Sequence, residues 1–160
     1  MTDNAPGLTI GVRSLAYQGT TLFENLRFRL DGSSWTCLLG ASGVGKTSLL
    51  RLIAGLAPGA LVVADDGRGL DQRVALMAQQ DLLLPWLPVV DNVLLVTHNP
   101  LEALRLGHRL YVLGGRPALP RGPLIPRGTP PRDAADPTLL ALQAELLGEL
   151  TRSSELLEAS

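Results

Sequence analysis

The sequence predicts an α/β fold, with a parallel sheet and flanking helices joined to an antiparallel β-subdomain. First, a short apolar run at 34–39 is followed by a glycine-rich segment and then an apolar helical pattern at 48–54. Second, two strand-like segments, 8–17 and 21–30, flank a Gln-Gly-Thr turn, as in a β-hairpin. Third, strand, helix and strand patterns alternate over 94–113. Such alternation is typical of a parallel sheet covered by helices.

Composition limits the functional classes. With 160 residues and a net charge of −1, the chain is long enough for a core but lacks the basic field that nucleic-acid binding needs. The one cysteine, Cys37, lies in a predicted strand, so a disulfide framework is excluded. Residues 1–7 do not resemble a signal peptide, and the longest apolar run, 82–90, is interrupted by Pro85 and Pro88. We therefore expect a soluble protein in a reducing compartment.

The first half of the chain is predicted to be rich in strands. The second hairpin strand has a partly alternating apolar pattern, formed by Phe23, Leu26, Phe28 and Leu30. Beyond the helix, segments 60–64 and 73–77 resemble two more strands, separated by an Asp-Asp-Gly turn signal at 65–67. Segment 79–88 is expected to be a loop.

The second half begins with a strand that ends at His98. Asn99 is placed to cap the next helix, and Pro100 suits its first helical position. A further strand is predicted at 109–113, closed by two glycines.

A change in composition follows. Seven of the 12 prolines lie between 116 and 137, so 117–137 is predicted to be a linker or loosely ordered arm. A helical tail is expected over 138–160, after an Asp-Pro cap. One face of that helix is apolar, and it contains Leu139, Leu142, Leu146 and Leu150. The stripe could pack on the chain's own core or contact a helix of a partner.

The most specific motif is the segment Gly40-Ala41-Ser42-Gly43-Val44-Gly45-Lys46-Thr47, which contains the only lysine in the chain. Its spacing fits the phosphate-binding P-loop, G-x-x-x-x-G-K-[ST]. A chance match is conceivable in a chain with 17 glycines, but a predicted strand precedes the segment and a predicted helix follows it.

The glycines let backbone N–H groups turn toward phosphate oxygens, and the lysine reaches the β- and γ-phosphates as a point charge. The Thr47 hydroxyl is placed to ligate Mg²⁺. Predicted phosphate-binding residues are Gly40, Ser42, Gly43, Gly45, Lys46, Thr47 and Ser48.

Together with the motifs that follow it, this segment resembles the nucleotide-binding subunit of an ABC transporter over about 8–116. The resemblance implies ATP and Mg²⁺ as cofactors. Tyr17 occupies the position of the aromatic residue that stacks on adenine, and aromatic faces suit purines. The alternative is that Tyr17 is simply a tyrosine at the end of a hairpin.

A second resemblance is to the Q-loop, with Gln79 as its glutamine. In the family this glutamine approaches Mg²⁺ and the attacking water, and the loop contacts membrane-spanning subunits. The sequence Leu-Pro-Trp at 84–86 is most similar to importers of nitrate, sulfonates, taurine and thiamine precursors. By itself, a glutamine in a loop would be a solvated residue; the Asp-Asn-Val at 91–93 that follows in order supports the assignment.

The third resemblance is to the H-loop, whose histidine contacts the γ-phosphate. Here Val-Thr-His at 96–98 is followed by Glu102 and Ala103. A lone histidine is usually structural, but His98 ends a strand inside an ordered set of motifs. The resemblance therefore implies that Gln79 and His98 are the catalytic residues and that Thr47 and Gln79 are the metal ligands. His108 matches no motif.

The resemblance is interrupted near 93–96, so the predicted nucleotide-binding domain at 1–116 is incomplete. The family's helical subdomain, signature motif, Walker B strand and D-loop are missing from the sequence between 93 and 96. The only apolar run that ends in paired acids is 61–66, which precedes the Q-loop, and we interpret Asp65 and Asp66 as turn residues. The chain is therefore expected to have an incomplete ABC ATPase fold.

Two functions follow from the resemblance. One is the ATP-binding subunit of an importer, peripheral on the cytoplasmic face of the membrane, where it energises solute uptake. The other is a deleted, hydrolysis-deficient derivative that binds nucleotide or the membrane partner without driving transport. The family pairs two ATPase subunits, but the missing signature motif puts that pairing in doubt. A kinase or GTPase is disfavoured because no N-K-x-D motif is present.

Overall fold

The computed structural model describes residues 5–68 and 92–159. In these two ranges the chain forms seven strands and three helices. In chain order they are β1 (Leu8–Tyr17), β2 (Thr20–Leu30), β3 (Trp35–Gly40), α1 (Lys46–Ile53), β4 (Ala60–Ala64), β5 (Val93–Thr97), α2 (Pro100–Leu106), β6 (Arg109–Gly114), β7 (Leu119–Leu124) and α3 (Pro137–Glu158). The predicted strand at 73–77 and the loop at 79–88 lie outside the described residues.

The strands form two sheets, which confirms the predicted α/β class. An antiparallel sheet has the order β2-β1-β4, and the hairpin register pairs Leu8 with Leu30 and Tyr17 with Thr20. A second sheet has the order β5-β3-β6-β7, in which β3 is parallel to both β5 and β6. The strand that precedes the P-loop is thus an inner strand of the mixed sheet.

Alternation along the inner strands produces two apolar layers. On β3, Leu38 faces a cluster shared with α1 and the antiparallel sheet, whereas Cys37 and Leu39 face a cluster shared with α2 and α3. On β6, Leu113 lies in the cluster shared with α1, and Leu110 lies in the cluster shared with α2 and α3. Successive strand residues point to opposite faces, so both faces of β3 are covered.

Helix α3 packs on the chain's own core. Three leucines of the predicted stripe, Leu139, Leu146 and Leu150, are buried in the cluster with α2, and Leu142 packs partly against it. Of the two alternatives for the stripe, the structure therefore shows the intramolecular one.

The proline-rich segment differs from the expected loose arm, because Leu119–Leu124 forms β7 and pairs antiparallel with β6. Pro120 and Pro123 have no N–H to donate to a neighbour. At the edge of the described sheet, a strand needs partners on one side only, so prolines are tolerated there.

A buried arginine fixes the rest of this segment. Arg132 is 8% exposed, and its guanidinium donates five hydrogen bonds to backbone carbonyls at 2.8–3.1 Å. The accepting carbonyls belong to Leu104, Gly107, Pro126, Arg127 and Gly128. A guanidinium carries five N–H donors, so this set of acceptors uses its full capacity. Burial lowers the pKa of Arg132 from its ordinary value. The arginine thereby ties the proline-rich segment to the end of α2.

The local turn and cap predictions hold. The side chain of Asn99 accepts hydrogen bonds from the backbone N–H groups of Leu101 and Glu102, at 3.0 and 3.3 Å. Asp136 caps α3 in the same way, through Thr138 at 2.7 Å. Asp65 and Asp66 lie in a turn after β4, and Asp65 also forms an ion pair with Arg29 on β2.

None of the helices within 5–68 and 92–159 has the length and apolarity that a membrane span needs.

His108 holds the start of β3. Its Nδ1 accepts a hydrogen bond from the backbone N–H of Trp35 at 3.1 Å, and the backbone N–H of His108 donates to the Trp35 carbonyl at 2.8 Å. Burial, reinforced by the positive charge of Arg132, lowers the pKa of His108 from its ordinary value of 6.5. Only neutral imidazole can accept at Nδ1, so the contact favours the uncharged ring.

This contact predicts a pH dependence of stability. Because the pKa of His108 is depressed in the folded chain, its contribution is complete above pH 6.5 and is lost as the pH falls through the folded pKa. We expect the urea midpoint of the chain to decrease between pH 7 and pH 5, and the decrease to be smaller in His108→Gln. Equal pH profiles for the two proteins would contradict this assignment.

Candidate functional site

The loop from β3 to α1 has the backbone that its glycines predict. Gly43 and Gly45 have φ angles of +80° and +106°, in the region that favours glycine. A β-carbon at Gly43 would meet nothing within 4 Å, so only the backbone angle requires glycine there. At Gly45 space is also limiting, because a β-carbon would lie 2.7 Å from Cζ of Phe23.

One side of this loop is anchored and the other is open. A β-carbon at Gly40 would lie 2.7 Å from Cγ1 of Val44 and 3.1 Å from the carbonyl oxygen of Leu113. Val44 is buried, whereas Ser42 and Gly43 are exposed. The loop is therefore packed on the sheet on one side, and its outer residues are exposed.

The N-terminus of α1 is chemically suited to an anion. Gly45 occupies the cap position, and no side chain accepts from the first turn of α1. Helices α2 and α3, by contrast, are capped by Asn99 and Asp136. The first backbone N–H groups of a helix have no intrahelical acceptor, and together with the helix dipole they bind phosphate. Thr47 is exposed and Ser48 is half-buried in that turn. The residues predicted to hold phosphate thus fit a polyphosphate.

Lys46 is the positive charge of the site. It is half-buried, and its Nζ donates to the carbonyl oxygens of Gly40 at 2.5 Å and Ala41 at 2.8 Å. Burial lowers the pKa of Lys46. An anionic ligand beside the ammonium would stabilise the charged form and oppose that effect.

His98 lies at the end of the strand beside the P-loop strand. In the parallel pairing of β3 with β5, Leu39 is opposite Thr97, so His98 and the P-loop follow the carboxyl ends of neighbouring strands. Ligands of open parallel sheets bind at such ends. The Thr97 hydroxyl donates to Glu102 at 2.6 Å and accepts from the N–H of Asn99 at 3.0 Å. The residues on both sides of His98 are therefore held in place while its own side chain is exposed.

Of the other two predicted residues, the structure describes only Tyr17. Tyr17 ends β1 with 65% of its side chain exposed, which is compatible both with stacking on a base and with a simple hairpin end. Gln79 and the rest of the Q-loop lie outside the described residues. Of the predicted magnesium ligands, the structure therefore describes only Thr47. Within 5–68 and 92–159, no three His, Cys, Asp or Glu side chains are grouped so that they could hold a metal.

Two residues near these elements were not singled out from sequence. Phe23 lies under Gly45, and Arg132 secures the end of the helix that begins after His98. The alternation of β2 identifies Phe23 as a core residue, but no local pattern links it to residue 45. No local pattern distinguishes Arg132 from Arg121 and Arg127 of the same proline-rich segment. Two of its acceptors, Leu104 and Gly107, lie elsewhere in the chain.

Comparison with known proteins agrees with these features. The ABC transporter family profile matches residues 23–151. An uncharacterized ABC transporter ATP-binding protein of Haemophilus influenzae is 47% identical over 83 residues, which cover 50% of this chain and 33% of that protein. The aliphatic sulfonates import ATP-binding protein SsuB 1 of Rhodococcus jostii is 37% identical over 114 residues, covering 69% of this chain and 45% of that protein.

A solved structure of an ATP-binding subunit of an ABC transporter has the same fold. It superimposes with a TM-score of 0.60 at 13% identity, covering 90% of this chain and 99% of the other. The chain spans less than half the length of the two relatives named above. Because the family profile matches most of the sequence, the chain belongs to the ABC transporter family.

Proposed function

We propose that this chain is the ATP-binding subunit of an ABC importer. The observation that carries the proposal is the combination of an uncapped α1 N-terminus with Lys46 beside it. The sequence similarity to an aliphatic sulfonate importer subunit supports the importer class. Choice of the solute belongs to the membrane and solute-binding subunits in such systems.

Each site residue has a role in this proposal. The loop N–H groups and Lys46 hold the phosphates, and the Thr47 hydroxyl would ligate Mg²⁺. Tyr17 would stack on adenine through its exposed ring. Gln79 and His98 would face the γ-phosphate. Mg²⁺ bound there would neutralise charge on the phosphates, while the chain itself supplies orientation.

The proposed partner is a membrane-spanning subunit, which would bind through the Q-loop region and place the chain on the cytoplasmic face of the membrane. Pairing with a second ATPase subunit is less well supported, because the signature motif that would close on the partner's γ-phosphate is missing from this sequence.

A second candidate is a nucleotide-binding derivative that does not hydrolyse ATP. Val93, from the Asp-Asn-Val of the Q-loop region, opens the same five-residue strand that ends at Thr97. The sequence therefore has no room there for a Walker B strand and its acidic pair. Phosphoryl transfer depends on residues that position the metal and the attacking water, so their loss removes most of the catalysis.

One experiment on the purified chain tests both candidates. Isothermal titration with ATP and Mg²⁺ measures binding, and phosphate release measures turnover. We expect measurable binding, which both candidates require. Turnover above that of Lys46→Ala is expected only of an active importer subunit.

The outcomes separate the two candidates. Turnover that requires Lys46 would exclude the hydrolysis-deficient derivative and favour an active subunit. A chain that is folded by circular dichroism but shows no heat of ATP binding would refute the proposed function altogether.

A further inference from the structure

Phe23 connects the antiparallel sheet to the phosphate-binding loop. It lies on β2 and is fully buried. A β-carbon built on Gly45 would lie 2.7 Å from its Cζ, 3.3 Å from Cε1 and 3.5 Å from Cε2. The far edge of the ring therefore touches the cap residue of α1.

The ring has little freedom to move. The carbonyl of the preceding residue, Leu22, accepts a hydrogen bond of 2.7 Å from the N–H of Ala118, which fixes β2 against the segment after β6. Phe23 also belongs to the core cluster that includes Val44 of the loop and Leu49 of α1. In a close-packed interior, the position of such a ring determines the position of the backbone that contacts it.

Gly45 is held on the helix side, where its carbonyl accepts a hydrogen bond of 2.9 Å from the backbone N–H of Leu49. It has no side chain of its own, its φ of +106° is one of many that glycine can adopt, and no side chain caps the first turn of α1. A contact from outside the loop can select one conformation from that range. Selecting it before the ligand arrives reduces the entropy lost on binding.

We propose that Phe23 is a positioning residue for the phosphate site. Its ring fixes the distance of Gly45 from β2 and thereby the direction of the first N–H groups of α1. This inference rests on the proposed function, because it concerns the same ligand. Phe23 touches no phosphate itself and acts only through Gly45.

The chain offers a matched control. Phe28 is the only other phenylalanine, lies on the same strand and is also buried. Its ring packs edge-on against Tyr111, with centroids 5.6 Å apart and an interplanar angle of 62°. Phe23→Leu and Phe28→Leu therefore remove the same atoms from the same strand, but only the first removes the atom that touches Gly45.

The experiment compares the two variants in the full chain. Urea unfolding measures stability, and isothermal titration measures affinity for ATP and for inorganic triphosphate with Mg²⁺. Both variants are expected to lower stability to a similar extent. Only Phe23→Leu is expected to weaken binding, by about fivefold for both ligands. Triphosphate has no adenine to contact Tyr17, so an equal loss for both ligands places the effect at the phosphate site. Phe23→Met, whose longer side chain can reach the loop again, is expected to recover part of the affinity.

Each alternative outcome overturns the inference. Equal losses of affinity in the two leucine variants would show that the ring acts only through global stability. A loss for ATP without a loss for triphosphate would place the effect on the hairpin that carries Tyr17.

Two further results separate this inference from the proposed function. If the unaltered chain binds ATP and triphosphate but Phe23→Leu binds them equally well, only the positioning role fails. If the unaltered chain binds neither ligand, the proposed function fails and this inference fails with it. Should Phe23→Leu not fold, Phe23→Met is compared with Phe28→Met, and a smaller loss of affinity is expected in Phe23→Met alone; equal affinities of these two variants would then overturn the inference.

Discussion

Lys46→Ala is expected to weaken ATP binding by about thirtyfold, the equivalent of about 2 kcal/mol for one charge-assisted contact to phosphate. Its Nζ donates to the carbonyls of Gly40 and Ala41 within the loop. From there the ammonium can turn toward phosphate oxygens without any change in the backbone. Isothermal titration with ATP and Mg²⁺ gives the two dissociation constants.

Two further variants show whether charge or geometry is responsible. Arg51→Ala removes a positive charge from the last turn of the same helix, where the side chain is exposed, and should leave affinity nearly unchanged. Lys46→Arg keeps the charge but replaces a compact ammonium with a planar fork, and should bind poorly. If Arg51→Ala were as damaging as Lys46→Ala, general electrostatic attraction rather than a built site would explain binding.

Arg132→Met is expected to destabilise the chain by about 3 kcal/mol, because it leaves five buried or half-buried carbonyl acceptors without their donor. Methionine preserves much of the apolar stem of arginine, so the loss reports the hydrogen bonds and not a cavity. Urea unfolding at pH 7 measures the change. We also expect faster proteolysis between β7 and α3, since Arg132 fastens that segment to the carbonyls of Leu104 and Gly107.

The control for this prediction lies five residues away. Arg127→Met removes an exposed guanidinium from the same segment and should change the free energy of unfolding by less than about 0.5 kcal/mol. Arg132→Lys retains the charge but has fewer donors, so its stability should lie between those of the unaltered chain and Arg132→Met. Equal stability of Arg132→Met and Arg127→Met would contradict the structural role assigned to Arg132.

Local signals were sufficient for much of the fold. The P-loop spacing places its glycines at the required backbone angles, and Asn99 and Asp136 cap the helices that they precede. In each case the cause lies within a few residues of sequence, so a pattern can identify it. The position of His98 beside the P-loop also follows, because both end strands of a parallel pair.

Three other features could not be predicted from local patterns. The segment 117–137 has the composition of a linker, and β7 forms there because β6 offers it an edge. Arg132 is buried because carbonyls from two separate segments converge on it. The support of Gly45 by Phe23 likewise requires two sheets to be placed relative to each other. Phe23 and two acceptors of Arg132 lie far from their partners in sequence. Strand β7 follows β6 closely, but its two prolines and its glycine do not predict a strand.

The packing of α3 has a consequence for biosynthesis. Leu39, on the strand before the P-loop, is covered by a cluster that includes Leu146 and Leu150. A ribosome therefore releases the P-loop strand long before the helix that covers one of its faces has been made. Until then that face is exposed apolar surface, which favours aggregation of the nascent chain and recognition by chaperones. Expression yield should consequently depend on residues that are translated long after the predicted phosphate-binding loop.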